Sequence, residues 1–126
     1  MKRCWLGFGL LLVLLVLSLA ATGFMTRIHE SMALDLEQSA ECALLGDWDN
    51  TELFFRLAQR NWSKWEHLRA CFADHEPAEE IDASLEALKV YCQARDAVTY
   101  RAACAALVCQ VRAMGEAHQA VWWNLL

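Results

Sequence analysis

No charged residue occurs between Arg3 and Arg27. The 23 positions between them, Cys4 to Thr26, are almost all Leu, Val, Ala, Phe, Gly or Trp. Coiled as a helix, such a run extends roughly 35 Å, enough to cross a hydrocarbon core of about 30 Å. Everything after Arg27 has ordinary soluble character. The 126 residues therefore leave room for one membrane segment, residues 1–26, and one small domain, residues 27–126.

Charge sorts the partners. The part from Arg27 onward carries all 16 acidic residues against nine Lys and Arg, a net −7 with His neutral. Nucleic acid is not an expected partner, since phosphate binding wants a basic face. Met1-Lys2-Arg3 is basic and the far flank of the run is acidic. The positive end stays inside, so a single-pass protein of the cell membrane is expected, with its N-terminus cytoplasmic and its domain extracytoplasmic. The rival is a cleaved signal peptide. Ser18-Leu19-Ala20 has small residues at the offsets for cleavage after Ala20, which would release a secreted helical protein. The run is longer than a typical h-region of about 7–15 residues, and helix signal continues past it, so the uncleaved anchor is preferred.

Beyond the run, Pro and Gly are few, and Ala, Leu, Glu, Gln and Arg dominate. The fold class is all-α. Ile28, Met32, Leu36, Ser39 and Ala43 recur at helical spacing, so one helix is expected from about Trp5 to Leu45, capped by Gly46. Asp49 with Glu52 reads as the start of a second helix running to about Ala73, with Phe54, Ala58, Trp62, Trp65, Leu68 and Phe72 as its stripe. Pro77 suits the first turn of a third, with Ile81, Leu85, Leu88 and Cys92 inward. Asp96 caps a fourth that carries Tyr100, Cys104, Leu107, Val111, Met114 and His118. The turns at Asp47 and Asp96 are 49 residues apart. The expected architecture is a transmembrane helix continuing into a small antiparallel bundle of two helical hairpins. Up-and-down order returns the Asp74–Pro77 turn and the terminal Trp122-Trp123 pair to the bilayer, where paired Trp suits the interfacial belt.

Candidate chemistry is sparse. His67, Cys71 and His75 are spaced by four and share a face if the helix lasts that long, with Asp74 or Glu76 as a further ligand. The plainer reading is a rim of partly exposed polar groups. Five cysteines follow the run. Cys71 with Cys104 or Cys109, or Cys42 with Cys92, could bridge helices outside the cytoplasm, but most fall on apolar stripes and read as packing. His118 reads as a core histidine. Asn61-Trp62-Ser63 matches a glycosylation sequon but lies mid-helix beside a core Trp. No phosphate loop, nucleophile elbow or haem motif occurs, and no cofactor is expected. Trp62, Trp65, Trp122 and Trp123 are the candidates for interface or interaction, although Trp62 and Trp65 at helical spacing also suit a core.

The basic N-terminus, the single membrane helix, the Gly46-Asp47-Trp48 turn, Trp62-Ser63-Lys64-Trp65, Phe72-Ala73-Asp74-His75-Glu76 and the Asn124-Leu125-Leu126 end together resemble the bacterial domain-of-unknown-function family 4363. The chain departs from that pattern at Pro77-Ala78 and in being rich in Ala and Cys. The resemblance implies a small single-pass membrane protein with no established activity, and it carries over no functional residue. The expected role is non-enzymatic: an accessory subunit or protein–protein contact module beside the lipid bilayer and another membrane protein, with homo-oligomers allowed. The alternative is a metal- or ligand-binding sensor using His67, Cys71 and His75 with Trp62 and Trp65.

Overall fold

The computed structural model describes residues 2–67 and 75–123, with side chains for residues 4–67 and 76–117. Four long helices carry the fold: α1 Lys2–Leu44, α2 Trp48–Lys64, α3 His75–Gln93 and α4 Ala97–Trp123. Among the described residues there is no strand. α1 is unbroken for 43 residues, roughly 64 Å.

α1 has two parts. From Cys4 to Leu17 every residue is exposed, and the first buried one is Met25. This stretch is long and apolar enough to cross a membrane. Within it, Thr22 donates to the Ser18 carbonyl and Thr26 to the Thr22 carbonyl, both at 3.0 Å. Hydroxyls satisfied inside their own helix suit an apolar surrounding. Beyond Met25, the residues Met32, Ala33, Leu36 and Ala43 enter the core with Phe55, Ala58, Trp62, Ile81, Leu85, Leu88, Tyr100, Leu107 and Val111. α1 packs chiefly on α4 and α2, α3 packs on α4, and α2 meets α3 only sparsely.

The expected stripes of α3 and α4 hold: Ile81, Leu85 and Leu88 are buried, as are Tyr100, Cys104, Leu107, Val111 and Met114. Those of α1 hold apart from Ile28, whose place His29 takes at 2% exposure. The stripe of α2 needs correction. Phe55 is buried and Phe54 is not, and the inward set is Thr51, Phe55, Ala58 and Trp62. The cap is Asp47 rather than Asp49: the Asp47 side chain accepts from the Asn50 N–H at 3.2 Å. Glu52 pairs with Arg56 instead of reaching back to the helix start. α2 also stops at Lys64 rather than near Ala73. There the Ser63 hydroxyl donates to the Gln59 and Arg60 carbonyls at 3.0 and 3.3 Å, and the Trp65 N–H turns to the Ser63 carbonyl.

The two turns are copies. After α1, Gly46 N–H donates to Ala43 O and Asp47 N–H to Cys42 O, at 3.1 and 3.0 Å. After α3, Arg95 N–H donates to Cys92 O and Asp96 N–H to Tyr91 O, at 3.1 and 3.2 Å. Both are Schellman closures, with a left-handed residue at the turn. Gly46 has φ 75° and Arg95 φ 54°. Each turn then supplies an aspartate cap, Asp47 to the Asn50 N–H and Asp96 to the Thr99 N–H.

Cross-helix pairs fix the register. Asn61 on α2 donates to Asp35 at 3.2 Å, and Ser39 Oγ donates to the Thr51 carbonyl at 2.7 Å. Later residues of α2 thus lie beside earlier residues of α1. On α4, Tyr100 reaches Ser39, and Arg112 donates to Glu30 at 2.9 and 3.2 Å and to Glu37 at 2.7 Å. Gly115 lies against His29, where an added Cβ would sit 3.5 Å from Nδ1. That is ordinary contact, so Gly115→Ala should raise stability by roughly 0.5–1 kcal/mol through lower unfolded-state entropy. Thermal melting in detergent checks it, as a rise in midpoint.

Acid should loosen the bundle. Arg112, first through its hydrogen bonds, holds the Glu30 carboxyl below its ordinary value. The Asn50 and Thr99 hydrogen bonds do the same for Asp47 and Asp96. A lowered carboxyl stabilises the fold above its unfolded pKa and loses that contribution as pH falls through the folded one. Asp35 acts the other way, since burial raises it against the Asn61 bond. With three lowered groups against one, the melting midpoint should drop from about pH 6 to about pH 3. Arg112→Gln should make that drop smaller by removing the share of Glu30.

Candidate functional site

The sparse packing of α2 on α3 leaves a groove of about 380 Å³ near the two turns. Trp48 and Phe55 supply apolar lining. Asp49, Glu52 and Arg56 come from α2, Lys89 and Cys92 from α3, and Arg95 from the turn. Sequence spacing places each one. Glu52 and Arg56 are one helical turn apart and pair with each other. Trp48 sits directly after its cap, with its ring edge-on to Tyr100 at 6.4 Å and 70°. Arg95 reaches the groove because its backbone takes the left-handed conformation at the turn. Glu52–Arg56 being mutually neutralised, the remaining charged lining is Asp49 facing a seam with Lys89 and Arg95. Such a lining offers donors and one carboxylate around an aromatic floor, which suits recognition of a polar, charged surface.

Among the described residues the thiols are unbridged. Cys42, Cys92, Cys104 and Cys109 are free, so the Cys42–Cys92 bridge and bridges from Cys104 or Cys109 are absent among the described residues. Burial, then the charge of Glu52, pushes the Cys92 thiol up. Burial pushes Cys104 up to about 12. Both are protonated at neutral pH and lack thiolate character. Cys104 packs as a small hydrophobe, 1% exposed.

The His67, Cys71, His75 set falls across the segment between α2 and α3, most of which lies outside the described residues. α2 ends at Lys64, His67 is exposed beyond it, and His75 opens α3. Cys71 lies outside the described residues, as do the side chains of His75 and His118. Among the described residues no three His, Cys, Asp or Glu side chains gather as a metal set.

The tryptophans divide. Trp62 is corrected from an interface candidate to a core residue: it is 3% exposed, and its indole N–H donates to Asp82 at 2.6 Å. It ties α2 to α3. Trp65 is half-buried, with its ring edge-on to Phe24 at 5.0 Å and 90°. Lys64 Nζ lies 5.0 Å from the centre of the Trp65 ring. Trp122 and Trp123 belong to the last turn of α4, and their side chains lie outside the described residues.

Sequence reasoning missed three features. His29 is buried with its ring 6.4 Å from that of Trp62, yet a polar letter among polar neighbours gives no core signal. Arg95 carries a left-handed turn without the Gly that announces one. The groove arises from which helices fail to pack, which no spacing records. No protein-family model matches the chain, and comparison with the curated proteins and with the solved structures found no match.

Proposed function

We propose that this chain is a single-pass membrane protein whose helical domain serves as an accessory, non-enzymatic contact module outside the cytoplasm. The single observation that carries the reading is the division of α1: bare and apolar up to Phe24, then packed from Met25 without a break. One rigid element is then both anchor and core. The N-terminus, basic at Lys2 and Arg3, stays cytoplasmic. The domain is two antiparallel hairpins, a reading supported by the duplicated Schellman turns and the cross-helix register. The likeness to family 4363 belongs to this proposal too, as does the bilayer as a partner.

The partner is another membrane protein, and the α2–α3 groove is where we assign its contact. Its charged rim and aromatic floor support that assignment. Two experiments test the proposal. Single-cysteine variants keeping Cys4 or Cys109, both exposed, are treated with an impermeant maleimide on intact cells. Cys109 should react and Cys4 should not; the reverse pattern overturns the orientation. A photo-crosslinker at Gln59 or Lys89 should then capture one protein repeatedly in native membranes. Capture of a second copy of this chain would make the contact a homo-oligomer, and capture from exposed Val98 but not from the groove would overturn the assignment.

A further inference from the structure

Where α1 passes from bare to packed, two aromatic rings meet. Phe24 is the last exposed large apolar residue before Met25, and Trp65 stands edge-on to it. The end of α2 is therefore level with the end of the apolar run. Trp5 lies at the other end, 80% exposed. The helix between Trp5 and Phe24 rises roughly 29 Å, against a hydrocarbon core of about 30 Å. α4 arrives at the same level. It runs opposite to α1, with Tyr100 beside Ser39 and Gly115 beside His29. Its helix continues from Gly115 to Trp123, about 12 Å further along the span.

We infer that the domain is seated in the headgroup layer of the bilayer rather than suspended above it. The Trp65 ring lies at the boundary of headgroups and acyl chains, Lys64 meets lipid phosphates, and the last turns of α4 flank the span in the outer leaflet. This rests on the spanning reading above. Trp favours that boundary because its ring is apolar and its N–H is polar. A Lys beside it holds its ammonium at the same boundary, within reach of the phosphates. The cation already sits against the Trp65 ring. The occupant of this surface is the phospholipid bilayer, because the surface is continuous with the bare part of α1 and begins at the same residue.

The test uses the full chain in vesicles of phosphatidylcholine and phosphatidylglycerol, brominated either high or low on the acyl chain. The emission lost on Trp65→Tyr reports Trp65 alone. Bromines high on the chain should quench that component more strongly than low ones. Lys64→Glu, at an exposed position, should shift the Trp65 emission to the red and weaken the quenching. If the component is quenched by neither lipid while alkaline carbonate leaves the chain in the membrane pellet, the seat is wrong and the span stands. If carbonate releases the chain, the spanning reading fails first. Should Trp65→Tyr not fold, the Lys64→Glu shift decides: an unmoved emission overturns the seat.

Discussion

Trp62→Ala should destabilise the domain by about 4 kcal/mol, the scale for truncating a fully packed aromatic. Trp62 is 3% exposed and lies in the common core with Ala58, Ile81 and Leu85. Alanine there leaves a ring-sized void between α1, α2 and α3. It also removes the indole bond to Asp82, which links two helices that otherwise meet only sparsely. Related variants separate the two contributions. Trp62→Phe keeps most of the packing and leaves Asp82, which is exposed, to water, at about 1 kcal/mol. Asp82→Ala instead strands the buried indole N–H, at about 2 kcal/mol. Denaturant unfolding in detergent, followed by near-ultraviolet dichroism, should show the largest loss for Trp62→Ala, a smaller one for Asp82→Ala and the smallest for Trp62→Phe. A Trp62→Ala loss no greater than that of Trp62→Phe would contradict the packing argument. A domain of this size has only about 5–15 kcal/mol to lose, so Trp62→Ala should also lower the amount of folded protein recovered.

Ser39→Ala should cost about 3 kcal/mol, and Tyr100→Phe only about 1 kcal/mol, although both break the Ser39–Tyr100 bond. The order follows from counting protons. Ser39 has one, and it goes to the Thr51 carbonyl at 2.7 Å. Tyr100, 2.6 Å from the same oxygen, must therefore donate to Ser39. All three residues are buried, with Tyr100 at 0% exposure. Removing Ser39 takes the oxygen acceptor from the buried Tyr100 hydroxyl, leaving it only the weak Cys104 sulfur, and takes one bond from the buried Thr51 carbonyl. Removing the Tyr100 hydroxyl strands none, since Ser39 keeps its acceptor. Burial accordingly pushes the Tyr100 phenol well above its ordinary range, with Ser39 opposing that rise. Thermal melts of the two variants and of the double variant test this. The double variant should be more stable than Ser39→Ala alone, because it no longer buries a hydroxyl that lacks an oxygen acceptor.

Much of this fold is legible from spacing, and the failures have physical causes. α1 beyond Arg27, α3 and α4 place their large apolar residues mainly at spacings of three and four, so one phase is favoured. α2 carries three in a row, Leu53-Phe54-Phe55, and its phase is ambiguous by one residue; the cap at Asp47 rather than Asp49 resolves it in favour of Phe55. The far end of α2 is set by contact, not propensity: Trp65 turns toward Phe24, some 40 positions earlier in the chain. The expected histidine–cysteine set lies largely outside the described residues, beyond the end of α2 at Lys64. His29 and the seam groove are products of tertiary packing. The duplicated turn, by contrast, was visible as two aspartates 49 residues apart, although only the backbone bonds show that the copy extends to both closures.

The unbroken course of α1 turns the junction near Gly23 into a setting of angle. Successive residues of a helix advance by about 100° and 1.5 Å. One alanine inserted at Gly23 would therefore swing the groove a quarter-turn or more about the span while lifting it barely at all. Seven would restore the azimuth to within about 20° and lift the domain roughly 10 Å. Contacts made with a neighbour in the plane of the membrane depend on azimuth, and contacts made with lipid headgroups depend on height. A short insertion series thus reads out the two kinds of contact on separate axes.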